Sequence, residues 1–116
     1  MAERPMIWMT PFHKTEVAHA IFQHVFRRLM SPGDAQLAWG DFEQDCEQGV
    51  WTLANLPERT WATSIDLARR HGPTLGCRTL DSLHVACALE LKAERFWTFD
   101  ERQARLAEAV GLDTSL

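Results

Sequence analysis

The segment from Thr79 to Lys92 constrains the fold most strongly, because its apolar residues occupy more than one face of a predicted helix. Two sides of this helix are apolar, one with Leu80, Leu83, Cys87 and Leu91 and the other with Val85, Ala88 and Leu89. Surface helices of globular proteins carry a single apolar stripe. We therefore expect this helix to be covered by other elements on more than one face.

Short apolar runs alternate with helical periodicity along the rest of the chain. Strands are predicted at 6–9, 50–53 and 96–99. Helices are predicted from Thr10-Pro11 to Met30, from an Asp34 cap to Gly49, from Pro57 to His71-Gly72-Pro73, over 79–92 and over 101–110. Strands that alternate with helices favour an α/β fold with a mainly parallel sheet.

Three of the helices have one apolar face that we expect to be core. The predicted core positions are Ala18, Ile21, Phe22, Val25 and Leu29 in the first helix, Ala35, Ala38, Trp39, Phe42 and Cys46 in the second, and Trp61, Ile65 and Ala68 in the third. Each set repeats at intervals of three and four residues, which is the period of an amphipathic helix.

The composition is that of a single soluble domain spanning 1–116. Hydrophobic residues make up 46% and charged residues 24% of the 116 residues, and the longest apolar run falls short of the roughly 20 residues that span a bilayer. We expect a cytoplasmic protein without a signal peptide. The net charge of −4 argues weakly against a general nucleic-acid binder. Three cysteines without C-x-x-C spacing suggest reduced thiols.

Three acids are predicted to meet at one edge of the sheet. Asp100 closes a strand, Asp81 begins a helix and Glu16 lies early in the helix after the first strand. Sites in open parallel sheets form outside the carboxyl ends of the strands. An oxygen-rich cluster suits Mg²⁺ or Mn²⁺, and a water deprotonated on such a metal can attack phosphorus.

These residues resemble the signatures of the PIN domain, especially the VapC-type ribonuclease toxins of prokaryotic toxin-antitoxin pairs. The family's signatures match Glu16 in Thr15-Glu16-Val17, Asp81 in Leu80-Asp81-Ser82-Leu83-His84-Val85-Ala86, and Asp100 in Thr98-Phe99-Asp100. The likeness covers about 6–111. It implies a three-layer α/β fold and an endoribonuclease that uses Mg²⁺ or Mn²⁺, with Glu16, Asp81 and Asp100 as ligands.

The resemblance also implies surrounding residues and partners. Thr98 and His84 are expected beside the acids as supporting groups. The expected partners are an RNA substrate and an inhibitory antitoxin protein, with no membrane and no small-molecule cofactor.

The family pattern opens with a further strand that ends in an aspartate, and none precedes Met6. A strand with its crossover occupies on the order of 30 residues. We therefore expect an N-terminally truncated fold that lacks one metal-binding acid and leaves a gap in the sheet. The segment 6–9 would close against 96–99, or a second copy would cover the gap in an intertwined homodimer, with Trp8 at the surface or interface.

Other interpretations of the same residues stay open. In one alternative, Asp81 only stabilises a helix N-terminus and Asp100 only caps a helix. The protein is then an inactive PIN-like remnant that dimerises or binds a protein. The pairs Glu16/His19 and Asp81/His84 have the acid-x-x-His spacing of di-iron bundles, although the predicted strands oppose a four-helix bundle.

Overall fold

The computed structural model describes residues 8–96, 98 and 100–114, and of Trp8 only the backbone. The elements follow in the order β1 (Trp8–Met9), α1 (Pro11–Phe26), α2 (Pro32–Glu47), β2 (Thr52–Leu53), α3 (Thr60–Leu75), α4 (Thr79–Glu90) and α5 (Glu101–Ala109). The chain divides into two compact units, Met1–Asn55 and Leu56–Leu116, and each is described by itself. Within the described ranges, each helix is too short or too polar to cross a membrane.

In the first unit, β1 and β2 pair in parallel, as the alternation of elements predicts. Trp8 lies opposite Thr52 and Met9 opposite Leu53. The backbone N–H of Ala54 then donates to the Met9 carbonyl at 2.9 Å. The second strand begins at Thr52 rather than at residue 50, and the predicted strand residues 6 and 7 lie outside the described part.

Helix α1 begins where the sequence predicts and ends earlier. Thr10 caps it, accepting through Oγ1 from the His13 backbone at 3.4 Å, while His13 Nδ1 accepts from the Thr10 backbone at 3.1 Å. The predicted end at Met30 is wrong, because Arg28 adopts a left-handed backbone with φ 60°. The helix therefore stops at Phe26, and Leu29, a predicted core position, is 71% exposed.

Helix α2 confirms its predicted face and corrects its predicted cap. Ser31 is the N-cap, accepting from the Asp34 backbone at 3.1 Å, so Asp34 lies in the first turn. Pro32 at the first helical position has no N–H to leave unsatisfied, which suits a helix start. The predicted stripe has the lowest exposure in the helix, with Ala35 fully buried and Ala38, Trp39, Phe42 and Cys46 half-buried.

In the second unit, α3 runs past its predicted end at residues 71–73. It continues to Leu75 and ends at Gly76, whose backbone is left-handed at φ 68°. The Gly76 N–H donates to the Gly72 carbonyl at 2.9 Å. Pro73 lies in the last turn, where it lacks the N–H that would donate to the Arg69 carbonyl.

The buried face of α3 differs from the predicted one by one position. Trp61 and Ile65 are 55% and 61% exposed, whereas Thr60, Ser64 and Leu67 are buried. The prediction placed the largest apolar residues inside. Two small hydroxyl residues, Thr60 and Ser64, lie on the buried face instead. This face belongs to a helix that packs closely against α4.

Helix α4 is covered on more than one face, as its sequence predicts. Every residue from Asp81 to Cys87 is buried. The helix ends at Glu90 rather than Lys92, whose backbone turns left-handed at φ 58°. The core of this unit consists of Leu67, Val85, Ala86, Phe96, Leu106, Ala107 and Leu112.

The predicted strand at 96–99 is only partly described, because residues 97 and 99 lie outside the described part. Arg95 forms an isolated parallel bridge with Asp113, and the Phe96 N–H donates to the Asp113 carbonyl at 2.8 Å. The expected pairing of 6–9 with 96–99 involves residues that the structure does not describe. It stays a prediction, as do the gap in the sheet and the exposure of the Trp8 side chain.

Candidate metal-binding acids

Asp81 lies in the first turn of α4 and is only 4% exposed. Its Oδ2 accepts a hydrogen bond from the backbone N–H of Arg78 at 3.0 Å. Arg78 has an extended backbone that brings this N–H over the start of the helix. Within the described ranges, Oδ1 of Asp81 accepts no hydrogen bond and no cation lies within ion-pair distance.

Asp100 is exposed and caps α5. Its Oδ1 accepts from the backbone N–H groups of Arg102 at 2.9 Å and Gln103 at 3.3 Å. These bonds satisfy two N–H groups that a helix start leaves without partners. The capping role considered for Asp100 is therefore present, and both bonds use the same carboxylate oxygen.

Thr98 holds the backbone around Asp100. Its Oγ1 accepts from the Asp100 N–H at 3.0 Å and donates to Gln103 Oε1 at 3.0 Å. Gln103 thus contacts Thr98 through its side chain and Asp100 through its backbone. Thr98 thus holds the Asp100 backbone and the Gln103 side chain, and its role as a supporting group of a metal site stays a prediction.

His84 follows Asp81 by three residues and is 2% exposed in the buried run of α4. This burial agrees with a packed histidine. Its role beside the acids stays a prediction.

Glu16 belongs to the first unit, in the early turns of α1, and is exposed. His19, one turn later, bonds through Nδ1 to the Thr15 carbonyl at 2.9 Å. Among residues 8–96, 98 and 100–114, no three His, Cys, Asp or Glu side chains are grouped as metal ligands. The metal site therefore stays a prediction, which rests on the chemistry of the individual acids.

The three cysteines are free thiols, as predicted from their spacing. Burial raises the pKa of the Cys77 thiol, and the charge of Asp81 raises it further against a lowering backbone hydrogen bond. Burial also raises the pKa of the Cys87 thiol. The charge of Asp81 thus contributes to the raised pKa of the Cys77 thiol.

The sequence reasoning missed a depression of about 260 Å³ beside the start of α4. Arg78, Thr79 and Ser82 line it together with residues of α3. The available signal was the series Arg78-Thr79-Leu80-Asp81-Ser82, which places two hydroxyls and a guanidinium at a helix start.

The family comparison adds the identification. A family model, described as PIN domain, matches residues 3–109. The chain belongs to the PIN domain family. The match includes residues of both compact units. Neither a curated protein nor a solved structure matches the chain.

Membership confirms the predicted family and the α/β class. PIN domains are generally nucleases and typically use divalent metal ions. These family properties, rather than the geometry of either unit, are the reason to consider Glu16, Asp81 and Asp100 as metal ligands.

Proposed function

We propose that this PIN domain is a divalent-metal-dependent endoribonuclease of the VapC toxin type, which hydrolyses RNA phosphodiester bonds. The support is membership of the family, together with three acids whose sequence context resembles the family's signatures. Glu16, Asp81 and Asp100 are the proposed ligands of Mg²⁺ or Mn²⁺.

The carboxylate of Asp81 is the observation that carries this proposal. The Asp81 residue is only 4% exposed, and its carboxylate accepts one hydrogen bond and has no cationic partner in the described part of the chain. Buried carboxylates are costly unless they are paired, hydrogen-bonded or bound to a metal. A divalent cation on Oδ1 would supply the missing partner.

Asp81 and Asp100 share a further property that suits ligands. Each engages one carboxylate oxygen with backbone N–H groups at a helix start, Asp81 through Oδ2 and Asp100 through Oδ1. The other oxygen of each accepts no hydrogen bond from the described residues. The N–H groups fix each carboxylate, so that a metal would meet oriented donors.

The roles of the chain's own residues follow from these contacts. Thr98 and Gln103 hold Asp100, and the Arg78 backbone holds Asp81. The proposed ligand role of Glu16 rests on the sequence resemblance alone. A bound metal would lower the pKa of a water and offset charge on the phosphoryl oxygens.

The second candidate is a catalytically inactive PIN domain that dimerises or binds a protein, such as an antitoxin. The exposed apolar residues of the first unit favour it: Phe26 is 88%, Leu29 71% and Leu37 69% exposed. Large exposed apolar groups mark interaction surfaces when they are contiguous. An intertwined homodimer in the cytoplasm is the proposed form for this candidate.

RNA cleavage in the presence of Mn²⁺ tests the two candidates. We expect single-stranded or structured RNA to be cut by the wild type and not by Asp81→Asn. Asp66→Asn is the matched control, because it removes the same charge from a half-buried acid that pairs with Arg70 on α3. Electron paramagnetic resonance should detect manganese binding to the wild type. The affinity for manganese should be lower in Asp81→Asn.

The opposite results would support the second candidate. A chain that binds no manganese and cuts no RNA, but forms a dimer by light scattering, is not an enzyme of this type. Equal cleavage by wild type and Asp81→Asn would also remove Asp81 from the proposed site.

A further inference from the structure

The depression beside the start of α4 carries an inference that rests on the proposed function. It lies within the second unit and has a volume of about 260 Å³. Arg78, Thr79 and Ser82 line it from the start of α4, and Ile65 forms part of the wall from α3. Its lining thus combines hydroxyls and a guanidinium with apolar surface.

Ser82 offers the depression a hydroxyl donor. Its residue is 4% exposed, and it lines the depression. Within the described part of the chain, its hydroxyl has no hydrogen-bond partner. The neighbouring hydroxyl of Ser64 differs, because it donates to the Trp61 carbonyl at 2.8 Å. The Ser82 hydroxyl is not closed off from solvent, so it faces the depression, and a ligand oxygen would accept its hydrogen bond in place of water.

The start of α4 adds backbone donors and positive potential. No side chain caps this helix at Arg78. The first N–H groups of a helix have no partner within the helix and attract anions. The Arg78 side chain is exposed and makes no ion pair with described residues.

We propose that this depression binds a phosphate group of the RNA strand. Arg78 supplies the positive charge, Ser82 and Thr79 supply hydroxyl donors, and Ile65 packs against the neighbouring sugar or base. The buried charge of Asp81 at the same helix start opposes an anion, and a cation held by Asp81 would offset that charge. The depression would therefore position the strand next to the metal-binding acid.

Cys77 provides a direct probe of occupancy, because it also lines the depression. RNA bound there should slow alkylation of Cys77 by iodoacetamide, measured by mass spectrometry of the cysteine peptides. Cys46 is the internal control, since it is equally half-buried but lies on α2 in the first unit. We expect at least three-fold protection of Cys77 and none of Cys46, with a single-stranded RNA oligonucleotide and Mn²⁺.

Charge and hydroxyl variants separate the site from general electrostatics. Arg78→Gln should weaken RNA binding about ten-fold and reduce the slope of log affinity against log salt by about 0.7. Lys92→Gln is the matched control, because it removes one exposed charge from just beyond the other end of α4. Ser82→Ala should weaken binding about three-fold without lowering the thermal midpoint, since its hydroxyl has no bond to lose.

The outcomes distinguish this inference from the proposed function. RNA that is bound and cut while Cys77 alkylates at an unchanged rate would overturn the phosphate site and leave the nuclease in place. Equal effects of Arg78→Gln and Lys92→Gln would do the same. Protection by inorganic phosphate but not by RNA would make the depression a small-anion site. RNA that neither binds nor is cut would overturn both.

Discussion

The backbone N–H of Arg78 donates to Oδ2 of Asp81 at 3.0 Å, so the last residue before α4 fixes the acid in its first turn. This bond satisfies one N–H at the helix start and leaves Oδ1 of Asp81 without a protein partner in the described ranges. The same carboxylate thus serves the helix with one oxygen and remains accessible to a cation with the other.

Two substitutions of Asp81 separate these roles. Asp81→Asn keeps an oxygen that accepts from Arg78, whereas Asp81→Ala leaves this N–H without its partner. We expect Asp81→Ala to be less stable than Asp81→Asn by about 1 kcal/mol, measured by urea unfolding. Both variants should lose RNA cleavage. Equal stability of the two variants would show that the bond contributes nothing measurable.

The ionisation of Cys77 should report the charge of Asp81. Burial raises the pKa of Cys77, and the Asp81 carboxylate adds to that rise. Asp81→Asn should therefore lower the Cys77 pKa toward its ordinary value, so that thiolate forms at lower pH. The pH dependence of Cys77 alkylation measures this shift, with Cys46 as the reference.

Manganese should also lower the pKa of Cys77 if Asp81 binds the metal. A bound cation offsets the carboxylate charge and lowers the Cys77 pKa in the wild type but not in Asp81→Asn. A shift of the same size in both proteins would place the metal elsewhere.

The capping role and the proposed ligand role of Asp100 can be separated in the same way. Asp100→Ala removes the acceptor for two backbone N–H groups of α5 and should cost about 1 kcal/mol. Asp100→Ser keeps a capping oxygen, so its stability should lie within about 0.5 kcal/mol of wild type. Both should lose manganese affinity. A serine variant that binds manganese normally would restrict Asp100 to capping.

The buried face of α3 can be checked with a pair of apolar truncations. Leu67 is 4% exposed and belongs to the core, whereas Ile65 is 61% exposed. Leu67→Ala should cost about 2 to 5 kcal/mol, and Ile65→Ala should remain within about 0.5 kcal/mol of wild type. Urea unfolding measures both, and the reverse order would restore the face predicted from the sequence.

Two glycines, Gly76 at the end of α3 and Gly40 inside α2, give opposite expectations for the same substitution. Gly76 has φ 68°, where an alanine is strained even though no atom blocks its Cβ. Gly76→Ala should destabilise the protein by about 1 kcal/mol. Gly40 lies inside α2 with open space around its Cβ position, so Gly40→Ala should stabilise the protein by about 0.5 kcal/mol. Thermal unfolding of both variants compares them.

The local features of the chain were predictable because short-range chemistry decides them. Thr10-Pro11 starts α1, and the repeat of apolar residues from Ala35 to Cys46 gives the less exposed face of α2. The enclosed helix α4 and the family signatures at Asp81 and Asp100 could also be identified from the sequence. Each depends on neighbours within one or two helical turns.

Helix ends and the face of α3 were not predictable in this way. Arg28 and Lys92 adopt left-handed backbones that their residue types do not signal, and these end α1 and α4 earlier than the apolar pattern does. On α3, Thr60 and Ser64 are buried where the pattern placed Trp61 and Ile65. Packing against α4 selects the face.

The sequence by itself determined the family, the enclosed helix α4 and the acids that the proposed site requires, since these depend on residue type and spacing. Only the tertiary structure decided that Asp81 is buried with one oxygen held by Arg78, and that Ser82 lines a depression without a partner. Burial and hydrogen-bond saturation depend on which elements pack together, and no local pattern in the sequence encodes that choice.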